Sequence, residues 1–326
     1  LPLAALFQRG SVEQLATLLR QNAESDSHSD HSPLAPIQSG GTKPPFFCVP
    51  GAGGYVIYLY QLARELGSDQ PFYGLQAAGI EGAEPPHTTV EAMAAYYVAA
   101  LRTAQPTGPY YLGGHSLGGW VAFEMAQQLQ QQGQTVALVA IIDTPVPQLA
   151  HFVDQASWDD ARWLVELAYR IKHLLAPTLE ITYEALQPLD AAQQLHYLQA
   201  QLTQVNLFPA EAGLEQLQRL LEIFKAHSQV RYTIPPNTIA TPLALFRTQT
   251  EFGQTPQPTS EGAFVELAAA VDDPAWGWRA YGPTVVHILP GDHLSILNEP
   301  HVHELAARMR AELAQAAQST AAPISA

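Results

Sequence analysis

The sequence predicts an α/β protein built on a mostly parallel sheet with helices on both faces, interrupted by one helical insertion. Three observations carry that expectation. From residue 44 onward, short apolar runs alternate with longer stretches of helical periodicity. Several of those runs are continuously apolar rather than alternating, as strands buried on both faces must be. Between Pro145 and Thr241 the alternation stops, and only amphipathic helical patterns follow.

In order along the chain, strands are expected at Leu34–Gln38, Pro45–Val49, Phe72–Gln76, Pro109–Gly113, Val136–Ile142, Pro242–Phe246 and Pro283–Leu289. Helices are expected at Val56–Leu66, Thr89–Ala104 and Leu117–Gln132, with a last one from about Glu299 to Gln315. The insertion shows helical patterns at Trp158–Leu175, Asp190–Val205 and Ala212–Arg231, and no strand is expected in it. An insertion at the carboxyl edge of a parallel sheet sits where such folds bind ligands, so it reads as a lid. Trp158, Trp163 and Tyr169 are expected to line the pocket or, the safer expectation, to fill the lid's own core. Ahead of the sheet, Leu3, Leu6 and Phe7, then Val12, Leu15, Leu18 and Leu19, recur at helical spacing, with Ser11 placed as a cap. The polar run Glu24–Asp30 follows as a linker. The expected organisation is therefore a short helical piece (1–22), a linker (23–43), a main domain (44–316) with its lid at about 145–236, and a tail (317–326).

Composition narrows the function. The chain of 326 residues is 47% hydrophobic but only 14% charged, with a formal net charge of −15. That balance supports a large buried core and argues against nucleic acid or an anionic membrane surface as partner. No apolar run approaches the length of a membrane span. Leu1–Gly10 lacks the basic start and continuous apolar stretch of a signal peptide. Cys48 is the single cysteine, which rules out an internal disulfide framework and fits a reducing, cytoplasmic setting.

The chemistry centres on Gly114-His115-Ser116-Leu117-Gly118. A strand precedes this run and a helix follows it, the context a nucleophile elbow requires. The turn is too tight for side chains at Gly114 and Gly118, and it exposes the oxygen of Ser116. The α/β-hydrolase fold is the expected host, its serine followed in chain order by an acid and a histidine. Of twelve histidines, His293 has the best context, on Pro290-Gly291-Asp292-His293 after the last strand. His287 falls inside that strand and reads as a packed core residue. His301 and His303 fall on the terminal helix and read as solvated, and His115 reads as structural. Asp292 is expected to structure its own loop. Two places suit the acid. Asp143 ends the strand Val136–Ile142, whereas Arg247-Thr248-Gln249-Thr250 offers no acid before Glu251, so Asp143 is the better placed. Its task is to hold the tautomer of His293 and stabilise the imidazolium. The oxyanion donors are assigned as the backbone N–H groups of Leu117, at the helix start, and Ala52, in Pro50-Gly51-Ala52-Gly53-Gly54. That glycine-rich stretch lacks the Lys-Ser/Thr ending of a phosphate loop.

These elements together resemble the thioesterase domain that ends modular polyketide synthases and nonribosomal peptide synthetases. The resemblance covers roughly residues 44 to 316. It is carried by Phe47–Gly54, Gly114–Gly119, Ile141-Ile142-Asp143 and Gly291-Asp292-His293. It implies an acid after the strand following the nucleophile's, and a helical lid between that acid and the penultimate strand. Leu3–Phe7 and Ser11–Ala16 resemble the last helices of an acyl or peptidyl carrier domain. The resemblance implies an upstream carrier that delivers the substrate on its phosphopantetheine, with no cofactor in this domain. It implies release of the chain from Ser116 by hydrolysis or macrocyclisation. Rival readings are a stand-alone editing thioesterase, a serine esterase or lipase, a malonyl-type acyltransferase and a non-catalytic binding module. The acyltransferase is disfavoured by Gly119-Trp120 after the elbow.

Overall fold

The computed structural model describes residues 32–80, 84–152, 154–208, 213–249, 265–267 and 273–321. The helical piece expected in residues 1–22 lies outside them. The strands are β1 (Leu34–Gln38), β2 (Phe46–Val49), β3 (Phe72–Leu75), β4 (Tyr110–His115), β5 (Val136–Ile142), β6 (Ala150–Phe152), β7 (Leu243–Thr248), β8 (Val265–Leu267) and β9 (Thr284–Leu289). The helices are α1 (Tyr60–Glu65), α2 (Val90–Ala104), α3 (Leu117–Gln131), α4 (Asp160–Leu174), α5 (Tyr183–Leu186), α6 (Ala191–Gln204), α7 (Leu214–Ser228) and α8 (His301–Ala321).

Seven strands form one sheet in the order β1-β3-β2-β4-β5-β7-β9. Only β1 runs antiparallel to its neighbour; the other pairings are parallel. Every residue of the central strands β2, β4 and β5 is buried, which is why their runs carry no polar alternation. One face packs Val139, Ile141 and Leu245 against Met93 and Leu101 of α2 and Phe123 and Met125 of α3. The other packs Tyr111, Ala140 and Phe246 against Leu62 of α1 and Leu305 and Met309 of α8. The lid has its own core, in which Trp163, Leu167, Leu198, Leu217 and Phe224 meet. Trp163 lies inside it and Trp158 against its edge, while Tyr169 is half-buried and packs on His173. Caps define the helix starts: Thr89 accepts from the Ala92 N–H, and Asp190 with Gln193 forms a capping box.

Several expectations need correction. The stretch after Pro145 does contain a strand, β6, which pairs antiparallel with β8. At three residues each, the two are too short to show a period, and their partnership spans more than 110 positions. The strand Leu34–Gln38 joins the sheet although it falls within the stretch read as linker. β4 continues through Gly114 to His115, and β7 continues to Thr248. The helix expected at Val56–Leu66 divides into a 3₁₀ turn at Ile57–Leu59 and α1, and α8 runs past 316 to Ala321. His287 is not core: it is half-buried, stacks on Phe246 and bonds Glu312 at 2.8 Å. No helix among the described residues is long and apolar enough to cross a membrane.

Candidate active site

Ser116 stands between β4 and α3 with φ 57° and ψ −129°. For a residue with a side chain such a conformation costs on the order of 1–3 kcal/mol and persists only where its surroundings dictate it. Here they do. The Ser116 N–H donates to the Ile142 carbonyl at 3.2 Å, and its own carbonyl accepts from the Gly119 N–H at 2.8 Å and Thr144 Oγ1 at 2.9 Å. A Cβ on Gly114 would overlap the Gly118 carbonyl, and one on Gly118 would overlap that of Val49. Both glycines are therefore required by the close approach of β2, β4 and α3.

Parallel pairing of β4 with β5 aligns His115 with Ile142, so Asp143 emerges one strand from Ser116. Asp143 also has a positive φ, 49°, and its N–H donates to the Phe246 carbonyl at 2.8 Å. Its carboxylate is fully buried. Oδ2 accepts from His293 Nδ1 at 2.9 Å, while Oδ1 accepts from the Thr248 N–H at 2.7 Å and Thr248 Oγ1 at 3.0 Å. A buried carboxylate is costly unless its lone pairs are satisfied, and these donors satisfy them. With Nδ1 donating to the carboxylate, a neutral imidazole carries its lone pair on Nε2.

His293 leaves β9 on a short loop that Asp292 shapes. Asp292 Oδ1 accepts from the Leu294 and Ser295 N–H groups, both at 3.0 Å. The chain after Asp143 is fixed by two indoles, since Trp120 Nε1 donates to the Pro145 carbonyl and Trp278 Nε1 to the Thr144 carbonyl, each at 2.7 Å.

The glycine-rich loop lies beside the elbow: a Cβ on Gly51 would sit 3.2 Å from that of Ser116. Its turn closes by a bond from the Gly54 N–H to the Gly51 carbonyl at 3.0 Å, with Ala52 at the first corner. Leu117 is the first residue of α3, so its N–H has no intrahelical carbonyl to bond. The lid reaches this loop, because Ala52 packs against the lid core and Phe224 of α7 lies beside Gly53.

His115 does more than the sequence suggested. It is buried, its ring stacks on that of His293 with centroids 4.7 Å apart, and its Nε2 bonds the His293 carbonyl at 2.8 Å. Burial, then the nearby His293, holds its pKa well below the ordinary histidine value. His301 is half-buried, and His303 is exposed and bonds Glu65 at 3.1 Å. Ser116, Asp143 and His293 thus share one sheet edge as expected. The supporting bonds of Thr248, Trp120 and Trp278 were missed. Thr248 alone carried a signal, a hydroxyl at the strand end where the rival acid site was sought.

Residues 44–313 match the family model described as Thioesterase domain. Chondramide synthase cmdD of Chondromyces crocatus is 31% identical over 315 residues, 95% of this chain and 8% of the relative. Indigoidine synthase of Dickeya dadantii (strain 3937) is 32% identical over 316 residues, 94% of this chain and 19% of the relative. The chain thus spans a fifth or less of these curated relatives. Among solved structures, the Vlm2 thioesterase domain aligns with a TM-score of 0.61 at 25% identity, covering 83% of this chain and 94% of that one. A four-domain nonribosomal peptide synthetase, holo-AB3403, shares the fold with a TM-score of 0.72 at 24% identity, over 96% of this chain and 22% of that one. With an α/β-hydrolase sheet, a strained serine at its elbow and a family match over most of its length, the chain belongs to the thioesterase domain family and is a serine hydrolase.

Proposed function

We propose that this domain releases an acyl or peptidyl chain from the phosphopantetheine thiol of a carrier, through a covalent intermediate on Ser116. The observation that carries this reading is the buried Asp143 carboxylate bonded to His293 Nδ1 at 2.9 Å, one strand from the elbow serine. His293 Nε2 takes the proton of Ser116 as its oxygen attacks the thioester carbonyl carbon. The negative charge moves to the carbonyl oxygen, where the N–H groups of Leu117 and Ala52 receive it. Collapse breaks the C–S bond, and His293 returns the proton to the departing thiol. Asp143 keeps the imidazolium oriented and stabilised throughout. The ester is then cleaved by water or by an alcohol or amine of the chain itself, again with His293 as base. Water exclusion by the lid favours the second course. No cofactor of the domain's own enters these steps. The upstream partner is a carrier domain on the same synthase, in keeping with the multidomain relatives, and one cysteine in the whole chain suits the cytoplasm.

A fluorophosphonate probe tests the nucleophile: labelling of the protein and its complete loss in Ser116→Ala are expected. Labelling that survives the substitution sinks the assignment. A synthetic acyl thioester bearing an internal nucleophile tests the outcome, a cyclic product being lighter than the acid by one water.

A further inference from the structure

The stretch between the oxyanion loop and the base loop is spanned by two side chains that the mechanism leaves unused. The Gly51 N–H donates to Tyr58 Oη at 2.5 Å. Tyr58 Oη lies 3.4 Å from His115 Nδ1, and His115 Nε2 lies 2.8 Å from the His293 carbonyl. A carbonyl only accepts, so His115 Nε2 carries a proton there. In a neutral ring Nδ1 is then the acceptor, and the Tyr58 hydroxyl donates to it. The directions are consistent along the whole chain: Gly51 N–H to Tyr58 Oη, Tyr58 O–H to His115 Nδ1, His115 Nε2–H to the His293 carbonyl.

We propose that Tyr58 and His115 are positioning residues, a neutral hydrogen-bond relay that sets the oxyanion loop and the general-base loop at a fixed separation across Ser116. The reading rests on the catalytic roles given above for Ser116, His293 and Ala52. Three features support it. Both side chains are buried, so no water competes for these bonds. The ring of His115 stacks on His293 at 4.7 Å, where a charged neighbour would oppose the imidazolium that forms in each half-reaction. Burial, His293 and Arg170 together keep His115 uncharged. The oxyanion loop and His293 are also separated by more than 230 residues of chain, so their alignment needs a link through space. Tyr58 sits seven residues after Gly51, and His115 directly precedes the nucleophile.

The test uses the intact protein. Active-site titration with a fluorophosphonate counts competent protein, so rates are compared per titrated site. Tyr58→Phe and His115→Gln are each expected to slow Ser116 phosphonylation and lower kcat for a simple acyl thioester by about tenfold or more, with KM little changed, since a displaced donor acts on the transition state. The double variant is expected to be no slower than the slower single one, as members of one relay are not additive. Nitrogen NMR of the unmutated protein is expected to show His115 protonated on Nε2 alone. Tyr58→Phe labelling at the unmutated rate, multiplicative losses in the double variant, or a proton on Nδ1 each overturn the relay while leaving the nucleophile assignment intact. An unmutated protein that takes up no phosphonate overturns the catalytic roles, and the relay with them.

Discussion

Asp143 collects its side-chain hydrogen bonds from the end of β7 and from the loop after β9, and Thr248 supplies two of them. No acid follows β7 before Glu251, and the fold instead puts a hydroxyl at the end of β7 that bonds Asp143, just past β5. Thr248→Val keeps the backbone bond and removes the hydroxyl. A lost hydrogen bond to a charged group costs roughly 1.5–3 kcal/mol, so kcat is expected to fall about tenfold to a hundredfold. Steady-state kinetics at saturating thioester checks this, and Thr248→Ser should recover most of the loss. Ser116, Asp143 and His293 were legible as candidates because each lies shortly after a strand with glycine or proline two positions away. Thr248, Tyr58, Trp120 and Trp278 were not, since an ordinary residue becomes a support only through the partner that folding brings to it.

At the level of elements, the sheet was the readable part. Val136–Ile142 is apolar without interruption because both faces of β5 are covered, and its bounds follow from composition alone. β6, β8 and the single turn of α5 escaped, being stretches of three or four residues that no period can mark. The lid helices were legible as amphipathic patterns, but their seat on the glycine-rich loop was not, since Phe224 and Gly53 are distant in sequence. α7 also carries His227 in its last turn, buried, with its pKa lowered to about 4 by desolvation and then by His87. A histidine held neutral in the folded state and free to charge in the unfolded one favours folding at neutral pH. That contribution fades as pH falls below about 6.5 and is gone near 4. It amounts to up to about 3 kcal/mol. Thermal unfolding scans between pH 7 and pH 4 should therefore show a steeper acid loss of Tm for the natural protein than for His227→Leu.

On the scale of the whole molecule, charge and shape oppose each other at one edge. Among the described residues β9 ends the strand order of the main sheet, and Val285 and Ile288 on it are 46% and 52% exposed. An apolar edge strand invites pairing with another copy. The net charge of −15 works against that contact by repulsion between copies. Salt removes this protection, since the screening length drops from about 8 Å at physiological ionic strength to about 3 Å at 1 M. Sedimentation velocity should thus show association growing with salt at fixed protein concentration. Val285→Lys with Ile288→Lys should suppress it and leave thioester turnover unchanged. An association that weakens with salt would contradict this account.

The bond between His293 and Asp143 joins positions 150 apart in sequence, and Thr248 reaches Asp143 across 105. Contacts of such separation are the slow ones to form, because the entropy of closing a long chain segment is lost before any contact compensates for it. Helices such as α3 and α8 need no such closure. The competence of Ser116 is in this sense a clock for folding. It starts only when β4, β5, β7 and β9 have found their register, and a nucleophile-directed label counts finished molecules where a helix signal also counts unfinished ones.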